Sequence, residues 1–101
     1  MAFGQWWQFT EGLIELDHDS SGVYALANAA GTVIYVGSAN EVRRRLKEHF
    51  NESNTCIKRN ATKYCIDYRS DYKRQEQVVY DEIVRTTGKA PQCNSVRPAC
   101  V

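Results

Sequence analysis

Two mirrored tripeptides, Gly22-Val23-Tyr24 and Tyr35-Val36-Gly37, frame the stretch that decides the fold. Between them lies one turn signal, Asn28-Ala29-Ala30-Gly31, with apolar residues on both sides, which predicts a β-hairpin. A loop centred on the middle of this signal sets Tyr24 directly opposite Tyr35 and pairs the two motif glycines. Cross-strand partners point to the same face. We therefore expect two phenols side by side, next to glycines that let a large ligand approach the backbone.

The composition indicates one small domain with an uneven distribution of charge. The chain has 101 residues, is 43% hydrophobic and carries a net charge of +1, and no apolar run is long enough for a membrane span. Residues 1–40 contain no Lys or Arg, whereas residues 41–63 contain seven basic and three acidic side chains. A basic stripe beside a candidate site indicates a polyanionic partner, and a solvated helix face is the alternative.

The four cysteines show no recognisable pairing or metal-binding motif. None belongs to a Cys-x-x-Cys pair, and the two histidines stand at no zinc-ligand spacing. The first ten residues lack the positive side chain typical of a secretion signal. We therefore expect a cytoplasmic protein with free thiols and without a structural metal or a disulfide. The cysteines are Cys56, Cys65, Cys93 and Cys100.

The remaining pattern predicts an α+β domain with a small three-stranded antiparallel sheet flanked by helices, in the order β-β-α-β-α. Strands are expected at 22–28, 32–37 and 63–69, and helices at 39–50 and from 70 or 71 to near 88. We expect one domain at 22–101, preceded by an N-terminal extension at 1–21. The aromatic side chains of the extension are expected to cap the core or to form a homodimer contact.

Two local features refine this outline. Ser38 and Glu41 match the Ser-x-x-Glu capping pattern for the first helix, with Asn40 as a competing cap. The stretch 51–60 is polar and predicts a loop, whose Lys58 and Arg59 are candidates for contact with a nucleic-acid backbone.

The first predicted helix carries Arg45 and His49 four residues apart, on a strip beside the apolar seam. The planar guanidinium of arginine suits a phosphate because it donates two hydrogen bonds at once. Histidine can hold or transfer a proton near neutral pH. An ordinary amphipathic helix with a surface Arg and His is the alternative.

The second predicted helix places Glu76 on its apolar stripe, between Tyr72 and Tyr80. A lone carboxylate there costs free energy unless it is paired or binds a cation. Magnesium is often held by one carboxylate together with waters and a substrate phosphate, so Glu76 is a candidate metal ligand. A buried salt bridge to Arg45 is the alternative. Asn94, in the tail, could tie that tail to the site.

Taken together, these residues resemble the GIY-YIG endonuclease superfamily over about residues 22–94. Its two motifs stand here as Gly-Val-Tyr and Tyr-Val-Gly, and the segment from Tyr35 to Phe50 is similar to the phage-type homing endonucleases. Some relatives carry Lys where this chain has Ser38. In the repair branch of the family, the gap between the metal-binding glutamate and the asparagine is shorter than the gap from Glu76 to Asn94, and Glu82 would fit that shorter gap. We keep Glu76 as the expected metal ligand because it lies on the apolar stripe and Glu82 does not.

The resemblance implies a metal-dependent endonuclease that hydrolyses phosphodiester bonds of nucleic acid, DNA above all, with one Mg²⁺ or Mn²⁺. It implies that Tyr24 acts as or aligns with the base that activates water, helped by a lowered phenol pKa. The expected catalytic set is Tyr24, Tyr35, Arg45, His49, Glu76 and Asn94. The expected nucleic-acid contacts are Gly37, Ser38, Arg45, Lys58 and Arg59. A non-catalytic module with the same fold, binding nucleic acid or protein, is the alternative.

Overall fold

The computed structural model describes residues 5–51 and 55–94. The elements along the chain are β1 (Trp7–Gln8), α1 (Glu11–Ile14), β2 (Gly22–Ala27), β3 (Val33–Ala39), α2 (Val42–Asn51), α3 (Thr55–Asn60), β4 (Lys63–Tyr68) and α4 (Tyr72–Thr87). Every helix in the described part is too short or too polar to span a bilayer. The predicted α+β class is confirmed.

The sheet is antiparallel, with the strand order β1-β4-β2-β3. It has four strands rather than the predicted three, because Trp7–Gln8 of the N-terminal segment pairs with Tyr64 and Lys63. Two residues carry too little periodicity to mark a strand in the sequence. Strand β2 lies in the middle, and all six of its residues are buried.

Two hydrophobic clusters lie on opposite faces of the sheet. One is formed by residues of β2, β3 and β4 with the helices before β4, and it contains Leu46 of α2 and Ile57 of α3. The other joins Val23 and Val36 of the sheet to Val79 and Ile83 of α4. The edge of β3 therefore lies between the two layers of helices, with α2 on one side and α4 on the other.

The predicted hairpin forms, but its register is shifted. The side-chain oxygen of Asn28 accepts hydrogen bonds from the backbone N–H groups of Ala30 and Thr32, each at 3.0 Å, and closes a longer loop than expected. A bulge follows, because Ala27 pairs with Val33 while the next residue back in β2, Leu26, pairs with Tyr35. The loop and the bulge each shift the pairing of β2 with β3 by one residue. The total shift of two residues changes the cross-strand partners but keeps each side chain on its predicted face of the sheet.

The direct pairs predicted for the hairpin are therefore wrong. Tyr24 lies opposite Gly37, and Gly22 lies opposite Ala39. Tyr24 and Tyr35 are diagonal neighbours on one face, and their rings stack with centroids 6.2 Å apart. The two phenols therefore lie side by side as predicted, although the two tyrosines are not direct cross-strand partners.

The segment 51–60 was predicted as a loop, but the structure shows the helix α3 from Thr55 to Asn60. Ile57 is 1% exposed in the core, and Cys56 forms a disulfide with Cys93 of the tail. The expectation of free thiols is therefore wrong for this pair. The distant partners carry no local motif, so the pairing depends on the folding of the whole chain. Cys65 is free and buried; Cys100 lies outside the described residues.

The helix ends differ in detail from the prediction. Helix α2 begins at Val42 rather than at 39, since β3 continues to Ala39. Ser38 therefore belongs to a strand and does not cap α2. Helix α4 ends at the predicted glycine, where Gly88 adopts a φ of 82° and donates its N–H to the carbonyl of Val84. Asp71 occupies the N-cap position without a side-chain capping bond.

Candidate functional site

Three rings from three elements form the centre of the site. The hydroxyl of Tyr24 on β2 is 2.7 Å from Nε2 of His49 on α2. The ring of Tyr35 on β3 stacks on Tyr24 and meets His49 edge-on, with centroids 4.9 Å apart. His49 is only 2% exposed, so this histidine is part of the packed wall rather than a surface group. The structure therefore brings together three of the predicted side chains.

Burial controls the protonation of Tyr24. It raises the pKa of the phenol well above its ordinary value, the neighbouring Tyr35 raises it further, and the positive charge of Arg45 opposes both. The sequence-based expectation was that a cation and Arg45 would lower this pKa. In the protein alone the direction is upward, so Tyr24 is a neutral phenol near neutral pH.

Gly37 is required by the packing of Tyr24. The glycine is buried directly across the ladder, and a Cβ at this position would lie 2.5 Å from the hydroxyl oxygen of Tyr24. Any side chain at residue 37 would displace the phenol from His49. The second motif glycine is thus explained by a close approach within the protein.

Arg45 lies one helical turn before His49 on α2 and extends to the same site. Its side chain is 38% exposed, and its guanidinium donates to Glu48 at 2.9 Å. Its charge acts on both Tyr24 and Tyr35. A phosphate at the site would therefore meet a guanidinium whose ion pair with Glu48 is exposed and weak.

Glu76 reaches the site from the opposite layer. Its side chain on α4 is half-buried and accepts a hydrogen bond from the hydroxyl of Ser38 on β3. Burial raises the pKa of this carboxyl, and the Ser38 donor opposes that rise. The negative charge of Glu76 is felt at Tyr24. Arg45 pairs with Glu48, so the alternative of a Glu76–Arg45 salt bridge is not observed.

Glu82, the competing candidate, lies six residues further along α4. A rise of 1.5 Å per residue separates the two backbone positions by about 9 Å along the helix axis. The charge of Glu76 is among those that act on Tyr24, which favours Glu76 as the carboxylate of the site.

Asn94 fastens the tail to the edge of the sheet. Its side-chain oxygen accepts the N–H of Val36 at 2.9 Å, and its side-chain nitrogen donates to the carbonyl of Val36 at 3.0 Å. The preceding Cys93 donates its N–H to the carbonyl of Ile34 at 2.7 Å. The tail therefore pairs with β3 between the two residues, Tyr35 and Gly37, that face the site.

Lys58 and Arg59 are both exposed at the end of α3. Lys58 lies at a groove of about 320 Å³ that His49 also lines. The structure thus places Lys58 near His49, whereas Arg59 does not line this groove. The role of Ser38 as a partner of Glu76 and the Cys56–Cys93 clamp were not predicted, because both depend on contacts between elements distant in the sequence.

The donor set limits what metal the site could hold. Within residues 5–51 and 55–94, no group of three His, Cys, Asp or Glu side chains could form a dedicated cage. Glu76 offers a single carboxylate with one oxygen hydrogen-bonded to Ser38. Such a set fits Mg²⁺, which commonly keeps several waters and takes one or two protein carboxylates together with substrate phosphates.

Residues 20–93 match the family of the GIY-YIG catalytic domain. The chain belongs to this family. The match covers the hairpin, α2, α3, β4 and α4, together with Cys93 of the tail. The resemblance drawn from the two tripeptides and the spaced polar residues is confirmed, and the chain is a GIY-YIG nuclease domain.

Short stretches of the chain are also similar to two curated proteins. Over 32 residues it is 59% identical to the UvrABC system protein C of Chlorobaculum tepidum, and over 33 residues it is 54% identical to that of Nitrosomonas eutropha. These matches cover 32% and 33% of the chain, but only 5% and 6% of the relatives.

The fold is similar to that of solved GIY-YIG domains. A point mutant of the N-terminal endonuclease domain of UvrC from Thermotoga maritima, bound to its catalytic divalent cation, matches with a TM-score of 0.63 at 22% identity. The match covers 84% of this chain and 93% of that one. The same domain bound to magnesium matches with a TM-score of 0.62, also at 22% identity, over 82% and 92% of the two chains.

Proposed function

We propose that this chain is a divalent-metal-dependent endonuclease that hydrolyses phosphodiester bonds in DNA. The observation that carries the proposal is the convergence on one edge of the sheet. The hydrogen-bonded pair of Tyr24 and His49 lies on one side, within the field of Arg45, and the half-buried carboxylate of Glu76 approaches from the other. The magnesium-bound structure of the similar UvrC endonuclease domain supports the choice of metal, and DNA is the substrate that the family resemblance implies.

Glu76 would hold Mg²⁺ or Mn²⁺, with waters and the substrate completing the coordination. When bound, such an ion supplies Lewis-acid stabilisation of the charge that develops on the phosphate oxygens. The role of the protein is to keep one carboxylate ionised and fixed. Burial of Glu76 works against ionisation, and the hydrogen bond from Ser38 works for it.

Arg45 would stabilise the negative charge that builds up on the phosphate in the transition state. Its exposed ion pair with Glu48 can be exchanged for a phosphate at small cost. A preorganised donor of this kind contributes about 3 kcal/mol to the lowering of a barrier. Tyr35 would orient the substrate beside it, and Gly37, which the phenol of Tyr24 covers, would act by positioning that phenol.

Tyr24 would transfer a proton as a neutral phenol rather than act as a phenolate. As the attacking water forms its bond to phosphorus, its proton passes to the oxygen of Tyr24, and the proton of Tyr24 passes to Nε2 of His49. The distance of 2.7 Å permits this transfer when the ring proton of His49 is on Nδ1. The raised pKa of Tyr24 agrees with this relay and disfavours a free phenolate.

Asn94 would support the site by holding β3 in place, and Lys58 and Arg59 would contact the nucleic-acid backbone beside it. Two further parts of the interpretation stay predictions: a homodimer through the aromatic N-terminal segment and a cytoplasmic location. Trp7 supports the first, since it is 44% exposed on the edge strand β1. The disulfide weighs against the second, since such bonds are rare in reducing compartments.

Cleavage of supercoiled plasmid and of labelled oligonucleotides, with Mg²⁺, Mn²⁺ or EDTA, tests the proposal. We expect cutting with either metal and none with EDTA. Arg45→Ala and Glu76→Gln should each lose about 100-fold or more in rate. Arg44→Ala is the matched control, because Arg44 lies on the same helix as Arg45, is 63% exposed and pairs with Glu41.

Two outcomes would contradict the proposal. If Arg45→Ala and Glu76→Gln cut as fast as the unmodified chain, the mechanism is wrong. If labelled DNA binds but no metal gives turnover, the chain is the non-catalytic module that the sequence left as an alternative.

A further inference from the structure

The row of β3 residues that faces α4 changes from apolar to polar at one position. Val36 packs in the cluster with Val79 and Ile83 of α4. Ser38 is the next residue in that row, because alternate residues of a strand share a face. It meets Glu76, which lies one turn before Val79 on the helix. The polar pair thus lies beside the apolar contacts between β3 and α4.

The hydroxyl of Ser38 is used in one way that the sequence did not predict. It neither caps α2 nor lies free for nucleic acid, but donates to Oε1 of Glu76. A serine hydroxyl has a single proton to donate. While this proton is hydrogen-bonded to Glu76, the Ser38 hydroxyl cannot donate to a phosphate.

We propose that Ser38 is a positioning residue that fixes one carboxylate oxygen of Glu76 and leaves the other for the divalent cation. This inference rests on the proposed function, because it takes Glu76 as the metal ligand. Ser38 sets how tightly the cation binds, through the orientation of the ligand, and it does not touch the substrate.

The physical reason is preorganisation. A glutamate side chain has several rotatable bonds, and a free carboxylate would lose rotamer entropy when the cation binds. The hydrogen bond imposes that cost during folding instead. Partners that orient a metal ligand in this way typically change metal affinity or activity by about 10- to 100-fold when they are removed.

A purely structural role makes a different prediction. If Ser38 only completes the packing between β3 and α4, Ser38→Ala lowers the melting temperature and leaves the affinity for metal unchanged. The two roles therefore separate in a binding measurement that does not depend on cleavage.

The test is calorimetric titration of the full chain with Mn²⁺, with far-UV circular dichroism to confirm folding. We expect Ser38→Ala to raise the Kd for Mn²⁺ by about 10- to 100-fold. Ser38→Thr keeps the hydroxyl and should restore binding to within a few-fold. Ser21→Ala is the matched control, because the Ser21 hydroxyl also donates a hydrogen bond, but to the carbonyl of Arg69 and not to Glu76. It should bind Mn²⁺ like the unmodified chain.

The same series distinguishes failure of this inference from failure of the proposed function. If Glu76→Gln loses Mn²⁺ binding while Ser38→Ala binds normally, Ser38 is not a positioning residue and the metal site stands. If Glu76→Gln itself binds Mn²⁺ normally, both proposals are overturned. Should Ser38→Ala fail to fold, Ser38→Cys provides a weak donor of similar size and is expected to give an intermediate affinity. Normal affinity in that variant overturns the inference.

Discussion

Tyr24 lies directly across the β2–β3 ladder from Gly37, and its phenol covers the glycine so closely that no Cβ fits between them. This contact holds the hydroxyl of Tyr24 against His49. Two motif residues that lie thirteen positions apart in the sequence therefore act as one packing unit.

Gly37→Ala should destabilise the fold and disrupt the site together. The added methyl meets a phenol that is buried and hydrogen-bonded, so the ring cannot move aside freely. We expect a loss of about 1–3 kcal/mol in the free energy of unfolding, measured with urea, and a parallel loss of cleavage. Gly12→Ala is the control, because nothing lies within 4 Å of a Cβ there. Equal stability of the two variants would contradict the packing argument.

Tyr24→Phe should remove the proton relay while keeping the ring. We expect a fall of about 100-fold or more in kcat, together with a loss of about 1–3 kcal/mol in stability because His49 loses a buried partner. Tyr64→Phe is the matched control, since that buried hydroxyl donates to Asp17 at 2.6 Å, away from the site. It should cost stability but leave kcat unchanged. Full activity of Tyr24→Phe would exclude the relay.

Reduction of the Cys56–Cys93 disulfide should loosen the tail that carries Asn94. The bond spans 37 residues, and loops of this length correspond to about 2–4 kcal/mol of stabilisation. We expect dithiothreitol to lower the melting temperature and to speed hydrogen exchange at the Val36 amide, which Asn94 protects. A Cys56→Ser/Cys93→Ser double variant should start at the lower temperature and not respond to reductant. Mass spectrometry checks that the bond is reduced. If the melting temperature of the reduced chain is unchanged, this prediction is wrong.

Stability should fall in alkaline solution because of the buried phenols. Burial raises the pKa of Tyr24 and of Tyr64 above the ordinary value of about 10. The folded chain then keeps protons that the unfolded chain releases, so the free energy of unfolding decreases as the pH rises above about 10. Below that pH, the contribution of these two buried phenols to the free energy of unfolding is fully present. Urea unfolding between about pH 8 and pH 11 measures the slope, which Tyr64→Phe should flatten. If the stability of Tyr64→Phe falls with pH as steeply as that of the unmodified chain, Tyr64 does not contribute to the pH dependence.

The basic end of α3 should contribute to DNA binding through charge. Lys58→Ala with Arg59→Ala should weaken binding and make the salt dependence shallower by about one to two in the logarithmic slope. Fluorescence anisotropy at several salt concentrations measures this slope. Arg85→Ala with Lys89→Ala is the control, since these exposed residues lie at the far end of α4. An identical slope in both double variants would remove α3 from the binding surface.

The sequence by itself determined the features that depend on local periodicity. The period of two placed Tyr24 and Tyr35 on one face, and an error of two residues in register could not reverse it. The period of 3.6 placed Arg45 and His49 on one strip and Glu76 on the stripe of α4. Gly88 fixed the end of that helix.

The tertiary structure decided what depends on contacts between distant segments. The loop closed by Asn28 and the bulge after it set the partner of Tyr24. The addition of β1, the helix in 55–60 and the Cys56–Cys93 bond each need a surface that only the folded chain provides. The pKa of Tyr24 and the bond from Ser38 to Glu76 follow from burial and proximity, which no local pattern encodes.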